Sequence, residues 1–266
     1  MIQAELKGKI PELENSEDIL TSCIFGLLRY LPLQEGLFEI LKKTKNYDDN
    51  SSILDNNQEI IHYNEAEYFF WEASESYGKP DLILIFKSHD QIVAPAILVI
   101  EVKYYSEKSR SGEHDQLKDY FLALSDENSR KTFYNEKISE FKGKFLGLVY
   151  LTYYSQEKEC EDSLYELSKC KLDDVKKNFY QLRWNDISKV IKKRKSAEND
   201  EYRRKIFEDL YELMLRKNFI DFEGWSNPID VELNRIFFNA FSIQDIPENV
   251  LRTLKEYHGI VFYKGA

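Results

Sequence analysis

The chain has 266 residues, of which 42% are hydrophobic and 14% aromatic, so it can bury the core of one large domain. Glycine and proline are scarce, at 10 and 6 residues, which excludes a collagen-like or linker-rich chain. The formal net charge of −10 is, by itself, evidence against nucleic-acid binding, although it does not exclude a local basic surface.

The sequence also limits where the protein works. No apolar run approaches the roughly 18–20 residues that a membrane-spanning helix needs, so we expect no membrane segment. The N-terminus, Met1 to Glu5, lacks the basic and apolar regions of a secretory signal. The 3 cysteines follow no metal-ligand spacing and favour a reducing compartment. We therefore expect a cytoplasmic protein.

The N-terminal part of the chain is predicted to be helical. The first helix spans Ser16 to Leu31, because apolar residues recur there at helical spacing and Pro32 ends it. A second helix is expected from Leu37 to Lys43. The polar stretch Asn46–Gln58 is expected to be a loop.

Three strands are predicted next, at Tyr68–Glu72, Asp81–Phe86 and Ile92–Lys103. Turn-like residues 88–91 separate the last two strands, which predicts a β-hairpin. Pro95 is expected to mark an edge or an irregularity in the third strand. Both faces of these strands are apolar, so we expect a sheet that is covered on both sides.

After these strands the sequence predicts a helix at Gly112–Leu124, followed by strands at Phe145–Thr152 and Phe179–Trp184. Helix, three strands, helix and two strands predict an α/β fold, with a mixed β-sheet flanked by helices.

Beyond Asn185 the apolar spacing predicts helices, one around Ile206–Met214 and another at Asn249–Tyr257. We expect a core domain of residues 1–184 and a helical C-terminal extension of residues 185–266 packed on it.

Three charged residues stand at the ends of the predicted hairpin. Glu101 and Lys103 are two apart in a strand and therefore share a face, and they follow the apolar run 96–100. Asp81 lies at the start of the neighbouring strand, which is beside the end of the other in an antiparallel pair. The three side chains are expected to converge at one edge of the sheet.

Such a cluster suits phosphodiester hydrolysis. Two carboxylates supply the hard oxygen ligands that Mg²⁺ prefers, and a nearby ammonium can orient the attacking water and contact the scissile phosphate. The alternative is an ordinary ion pair between Glu101 and Lys103 on the surface of an edge strand. Charges directly after so apolar a run favour the functional interpretation.

In order, strand context and spacing, Pro80-Asp81, Glu101 and Lys103 resemble the signature of the PD-(D/E)XK nucleases. The segment Gln116-Leu117-Lys118-Asp119-Tyr120 is similar to the Gln-Leu-x-x-Tyr motif on the helix that follows the Lys strand in that family. The resemblance covers roughly residues 15–152. It implies a restriction-endonuclease-like core and a Mg²⁺-dependent nuclease, with Mn²⁺ able to substitute.

The resemblance also implies roles for individual residues. Asp81 and Glu101 would bind the metal, with the Val102 carbonyl as an extra ligand, and Lys103 would position or activate the water. Gln116 would support the site or touch the DNA backbone, and its alternative is a solvent-facing residue.

Tyr120 would pack nearby or contact a phosphate, and its alternative is a core residue. Family members often carry a Glu on the first helix that faces the site, for which Glu17 is the candidate. Glu72, on the strand before Asp81, is a weaker candidate for the same role. Glu17 could also be favoured there only by the helix dipole.

The most basic part of the chain runs from Lys189 to Lys205 and could contact DNA. Its alternative is a solvated helix end, since acidic residues interrupt it. The residues proposed for nucleic-acid contact there are Lys192, Lys193, Arg194 and Lys195.

We therefore expect a nuclease that acts on DNA in bacterial defence against phage, in mobile-element biology or in repair, with a homodimer as its expected assembly. A catalytically inactive nuclease-fold protein with an interaction or regulatory role is the alternative from another class. RNA is the alternative substrate.

Overall fold

The protein is described from a computed structural model over residues 17–89, 93–104, 110–111, 114–153, 157–170 and 175–219. Six strands form one mixed sheet in the order β1-β8-β7-β4-β3-β2, and two short strands form a separate ribbon. The strands are β1 (Lys45–Asn46), β2 (Glu65–Phe70), β3 (Leu82–Lys87), β4 (Ala96–Val102), β5 (Arg110–Ser111), β6 (His114–Asp115), β7 (Lys144–Thr152) and β8 (Phe179–Arg183).

Helices precede, connect and follow these strands. Short 3-10 helices also occur at Gln58–His62 and Val175–Asn178. The α-helices are α1 (Glu17–Leu28), α2 (Leu37–Leu41), α3 (Ile53–Asn56), α4 (Gln116–Ser125), α5 (Glu127–Arg130), α6 (Glu136–Ser139), α7 (Glu157–Ser168), α8 (Trp184–Ala197) and α9 (Glu201–Arg216).

The predicted hairpin of β3 and β4 is confirmed. The two strands are antiparallel, with Leu82 opposite Ile100 and Phe86 opposite Ala96. β2 extends the antiparallel part beyond β3, whereas β7 and β8 run parallel to β4 on its other side. β4 is therefore a central strand. Its C-terminal end lies between the antiparallel strand β3 and the parallel strand β7.

The sheet separates two hydrophobic clusters, which confirms that both of its faces are covered. Even-numbered residues of β3 and β4, such as Leu84 and Leu98, pack with α1, α2, α8 and α9. Odd-numbered residues, such as Ile83 and Val99, pack with α4 and α7. This alternation follows from the two-residue period of a strand. It makes the chain an α/β protein with a mixed sheet flanked by helices.

Some predicted elements need correction. The expected loop Asn46–Gln58 contains one residue of β1 and the one-turn helix α3. Ser52 and Asp55 form a capping box at the start of α3, and Ile53 is fully buried, so local capping and burial override the polar composition. The helix expected from Gly112 begins at Gln116, where Asp115 accepts a hydrogen bond from the Lys118 N–H and acts as its N-cap.

Helix α7 was not predicted from the sequence, and its apolar residues are few. Cys160 and Leu167 are nevertheless fully buried against the sheet. The helix expected at Asn249–Tyr257 lies outside the described residues.

Helices α8 and α9 are shown where C-terminal helices were expected. Ile187 of α8 and Leu210 of α9 belong to the same cluster as the even-numbered face of the sheet. The division of the chain at residue 184 stays a prediction. No described helix combines the length and apolarity that a bilayer-spanning segment requires.

Gly147 sits at an irregularity of the central strand pair. Ile97 is opposite Phe145 but Leu98 is opposite Gly147, so β7 carries one extra residue there. The φ angle of Gly147 is +143°, and an added Cβ would lie 2.5 Å from the Asn178 carbonyl oxygen. Both the backbone conformation and the space therefore require glycine.

We expect Gly147→Ala to lower the free energy of unfolding by about 2–4 kcal/mol, through backbone strain and overpacking. Gly26→Ala is the matched control, because Gly26 lies within α1 and an added Cβ there meets nothing within 4 Å. In that variant the free energy of unfolding should rise by about 0.5–1 kcal/mol, because alanine has a higher helix propensity than glycine. Urea denaturation measures both values, and a loss of similar size in both variants would contradict this account.

Candidate active site

The hairpin brings three charged residues to one end of the sheet. Asp81 immediately precedes β3, Glu101 is the penultimate residue of β4, and Lys103 directly follows that strand. Continuing the register from Leu82 opposite Ile100 sets Asp81 opposite Glu101. The three residues are 7%, 1% and 5% exposed, so the alternative of a surface ion pair on an edge strand is wrong.

Two buried carboxyl groups face each other in this cluster. Asp81 Oδ2 accepts a hydrogen bond from the Val102 N–H at 2.8 Å, and the Asp81 and Glu101 carboxyls are in contact close enough for each to influence the protonation of the other. Both groups are acceptors when ionised, so that contact needs a proton or a cation between them. Glu101 Oε2 is buried and has no hydrogen-bond donor among the described residues.

The pKa values follow from this arrangement. Burial raises the pKa of Asp81, although the Val102 N–H and Lys103 oppose the rise. Burial, followed by the Asp81 carboxylate, raises the pKa of Glu101 well above its usual range. Both carboxyls therefore hold protons more tightly than they would in water.

Lys103 is held between two carboxylates. Its Nζ donates to Glu101 Oε1 at 2.8 Å and to Glu17 Oε1 at 3.1 Å. Burial disfavours the charged amine, but Glu101 and then Glu17 outweigh it and raise the Lys103 pKa. The charge of Asp81 also raises the Lys103 pKa, so three carboxylates act on one ammonium and the ionised cluster has an excess of negative charge.

Glu17, the first residue of α1, reaches the site from the first helix. Besides Lys103 it contacts the backbone, since Glu17 Oε2 accepts from the Tyr104 N–H at 3.1 Å. Leu20 and Ile24, which follow Glu17 on the buried side of α1, are fully buried against the sheet and fix the helix there. Glu17, rather than Glu72, therefore contacts Lys103.

Gln116 and Tyr120 lie one turn apart on α4 beside the cluster. Gln116 Nε2 donates to the Tyr120 hydroxyl at 3.1 Å, and that hydroxyl donates to the Lys79 carbonyl at 3.0 Å. Burial, and then Glu101, raise the Tyr120 pKa. These contacts link α4 to the segment that enters Asp81, and contact of either side chain with nucleic acid stays a prediction.

The backbone of Lys103 is fixed by residues that sequence reasoning missed. The Lys103 N–H donates to the Leu151 carbonyl at 2.7 Å, and the Lys103 carbonyl accepts from Trp184 Nε1 at 3.1 Å. Phe219 stacks on Trp184, with ring centroids 5.1 Å apart, and packs edge-on against Tyr104. Trp184 is fully buried at the first turn of α8, and no local sequence signal pairs it with Lys103.

Tyr150 forms the wall of the site on the β7 side. It is opposite Glu101 in the parallel register and is 1% exposed. Its hydroxyl donates to Glu159 on α7. Burial, the bond to Glu159 and nearby acidic groups raise the Tyr150 pKa. A tyrosine within the apolar run of β7 was the available sequence signal.

The basic segment is partly engaged within the protein. Arg194 contacts Glu35 at 2.9 Å and Glu198 at 3.3 Å, and the Lys195 amine lies 3.9 Å from the centre of the Tyr211 ring. These contacts give both residues a role in packing. Lys192 and Lys193 lie about 12 Å or more from Trp184, measured along the axis of α8. Nucleic-acid contact by the four residues stays a prediction.

The donor set fits a hard divalent cation better than a structural transition metal. Over the described ranges, no group of three or more His, Cys, Asp or Glu side chains is arranged to hold a metal ion. Mg²⁺ commonly binds through one or two carboxylates, with waters and substrate phosphate completing its shell. Asp81 and the unsatisfied Glu101 Oε2 match that need, and the Val102 carbonyl as a ligand stays a prediction.

No protein-family model, curated protein or solved structure matches the chain. The fold and the buried Asp81–Glu101–Lys103 cluster therefore carry the functional argument by themselves.

The facing carboxyls predict that the metal-free protein is strained by like charge. Asp81→Asn keeps an oxygen for the Val102 N–H but removes one charge. Two like charges about 4 Å apart repel by about 1 kcal/mol even in bulk water. We expect the variant, in EDTA at pH 8, to melt about 2–4 °C higher than wild type.

The pH dependence has a definite sign. Folding raises both carboxyl pKa values, so the folded state retains protons that the unfolded state releases. The free energy of unfolding should therefore fall as pH rises past the ordinary values of 3.8 and 4.5 towards the raised ones. Thermal melts across pH measure this slope, which should be shallower in Asp81→Asn. An equal or steeper slope in the variant would refute the assignment.

Proposed function

We propose that the protein is a metal-dependent nuclease with a restriction-endonuclease-like core of the PD-(D/E)XK kind. The observation that carries the proposal is the unsatisfied, buried Glu101 Oε2 beside the Asp81 carboxyl, with the Lys103 amine 2.8 Å from the other Glu101 oxygen. Burying such an oxygen is costly unless something binds it. A divalent cation that also meets Asp81 satisfies this need.

The surrounding fold supports the same proposal. A mixed sheet with helices on both faces carries the three residues at the end of an antiparallel pair, and Gln116 begins the helix after the Lys103 strand. This order agrees with the family signature that the sequence resembles. Glu17 on the first helix agrees with it as well, since its carboxylate contacts Lys103.

The chemistry divides among the residues as follows. Asp81 and Glu101 would hold Mg²⁺, or Mn²⁺ in its place. When bound, the metal would lower the pKa of coordinated water and stabilise negative charge on the phosphate. Lys103, kept charged by Glu101 and Glu17, would orient the attacking water and contact the scissile phosphate. Glu17 would hold the amine in position.

We propose DNA as the substrate and a homodimer as the assembly that would cut both strands, in a cytoplasmic role such as phage defence, mobile-element biology or repair. RNA is the alternative substrate, since the same hydrolysis applies to it. An inactive, regulatory nuclease-fold protein is the competing function. The net charge of −10 and the internal ion pairs of Arg194 favour it.

A cleavage assay tests the proposed activity. Plasmid, linear duplex, single-stranded DNA and RNA are each incubated with wild type in Mg²⁺ or Mn²⁺. We expect Lys103→Met to lower the rate by about 10²–10³, the usual loss when one transition-state donor is removed. Lys131→Ala is the matched control, because the Lys131 side chain is exposed and its amine donates to Asn128, away from the cluster.

The folded state of each variant is checked by its thermal melt before rates are compared. Failure of wild type to cut any of the four substrates, or cutting by Lys103→Met at the wild-type rate, would exclude the catalytic assignment.

A thermal-shift experiment separates metal binding from catalysis. At a concentration 100 times its Kd, a bound cation adds about 2.7 kcal/mol to the stability. That corresponds to a rise in melting temperature of about 5–10 °C for a chain of this size. Asp81→Asn should abolish the rise, whereas Asp126→Asn, at the exposed N-cap of α5, should keep it.

A shift that depends on Asp81 without any cleavage would favour the regulatory alternative. Equal shifts in wild type and Asp81→Asn would show that the cation binds elsewhere.

A further inference from the structure

Trp71 has a backbone conformation that its side chain disfavours. Its φ angle is +53°, and the other non-glycine residues with positive φ in the described ranges are Asn50 and Asn218. Asparagine visits the left-handed region readily, but other L-residues lose about 1–2 kcal/mol there. A bulky residue in this conformation is a genuine outlier, and such strain concentrates at functional sites.

The strained residue lies next to the carboxylate cluster. β2 ends at Phe70, which is opposite Leu82, so the register sets Trp71 opposite Asp81. The Trp71 N–H donates to the Asp81 carbonyl at 3.2 Å. Paired residues of antiparallel strands lie about 4.5–5.5 Å apart between Cα atoms, so the indole starts within one strand spacing of Asp81.

The positive φ angle changes the direction of the indole. Successive side chains of a regular strand point to opposite faces. The rings of Phe70 and Trp71 nevertheless lie 5.5 Å apart and are tilted by 42°. The kink thus brings the indole beside the Phe70 ring at the end of β2, where Trp71 is partly exposed.

Among the described residues, the indole lacks the hydrogen bond that a buried tryptophan N–H usually makes. The indole Nε1 is buried and finds no acceptor in the part of the chain that the structure describes, so the ring loses its one polar interaction. Glycine or asparagine would allow the same turn with less strain. The side chain therefore supplies something other than the stability of the turn.

We propose that the Trp71 indole is a stacking platform for a base of the substrate strand next to the scissile phosphate. This inference rests on the proposed nuclease function and names the substrate class, which is nucleic acid with unpaired bases at the cut site. Stacking on an aromatic ring is worth about 1–3 kcal/mol per base and tolerates any base, because every base has a π-face.

The same inference disfavours a continuous duplex. Bases inside a duplex are covered by their neighbours, and extruding one costs a few kcal/mol. The free energy gained by stacking on Trp71 is similar to that cost, so a base extruded from a duplex would gain little overall. Single strands, overhangs and frayed ends expose a base already, so they should be the preferred substrates.

The test uses the full-length protein with Trp71→Gly, which relaxes the backbone and removes the ring, and Trp71→Phe, which keeps a ring. We expect Trp71→Gly to raise KM for single-stranded DNA by about 10- to 100-fold. The Phe variant should stay within about 3-fold of wild type. The metal-dependent thermal shift should be unchanged in both. Tyr202→Ala removes a remote aromatic ring that is 80% exposed and should change nothing.

Binding is measured independently of cleavage. Each Trp71 variant is combined with Lys103→Met, and anisotropy of a fluorescein-labelled single-stranded oligonucleotide gives Kd in Mg²⁺. The same 10- to 100-fold weakening is expected for Trp71→Gly, with little change for a blunt duplex.

The outcomes separate the two proposals. Weakened single-strand binding in the Trp71→Gly series supports stacking even if no cleavage occurs, in which case the proposed activity alone fails. Cleavage of single strands with an unchanged KM in Trp71→Gly overturns stacking and leaves the nuclease intact. Absence of single-strand binding in the parent Lys103→Met protein, or equal weakening for duplex and single strand, also overturns it.

Discussion

The buried carboxylates of Asp81 and Glu101, together with the partly exposed Glu17, surround the Lys103 ammonium at the end of β4, and this cluster is the constraint on which the rest of the structure depends. In the unfolded chain, water solvates these charged groups. The folded protein must therefore supply interactions that replace this solvation. Lys103 bridges Glu101 and Glu17, and the Val102 N–H serves Asp81. The Glu101 oxygen left without a donor in the described chain marks where this replacement is incomplete. The apolar strands and helices on both sides hold the cluster away from solvent.

The position of Lys103 is set by elements far apart in the sequence. Its N–H contacts Leu151 of β7, its carbonyl contacts Trp184 of α8, and the next N–H contacts Glu17 of α1. Phe219, just after α9, packs on the ring of Trp184. Residues 184–219 therefore do more than extend a core, because they supply one of the bonds that orient the strand end. The site is a product of the whole described fold.

Local signals made the hairpin and the charged cluster predictable. A two-residue period places Glu101 and Lys103 on one face, and a short turn fixes which ends of the strands meet. The contact between Trp184 and Lys103 depends on a parallel crossover and two helices, and no local pattern encodes it. Helix α3 did carry a local signal, since Ser52 and Asp55 have capping-box spacing, but its polar neighbours masked it. The φ angle of Trp71 had no signal, because tryptophan is an improbable residue for that conformation.

Two unfavourable features meet at the same end of the sheet, and this argues against a purely structural role. Burial raises the pKa of both facing carboxyls, and the Asp81 charge adds to the rise at Glu101, so the ionised pair opposes folding above acidic pH. Trp71, opposite Asp81, adds backbone strain and an indole N–H without an acceptor among the described residues. Each could be relieved by one substitution, to asparagine at position 81 or to glycine at position 71. Unfavourable terms of this kind persist where the surrounding fold holds them in place, and they cluster where a ligand is bound. A cation between the carboxyls would relieve their repulsion, and a base stacked on the Trp71 ring would give the strained side chain a role in binding.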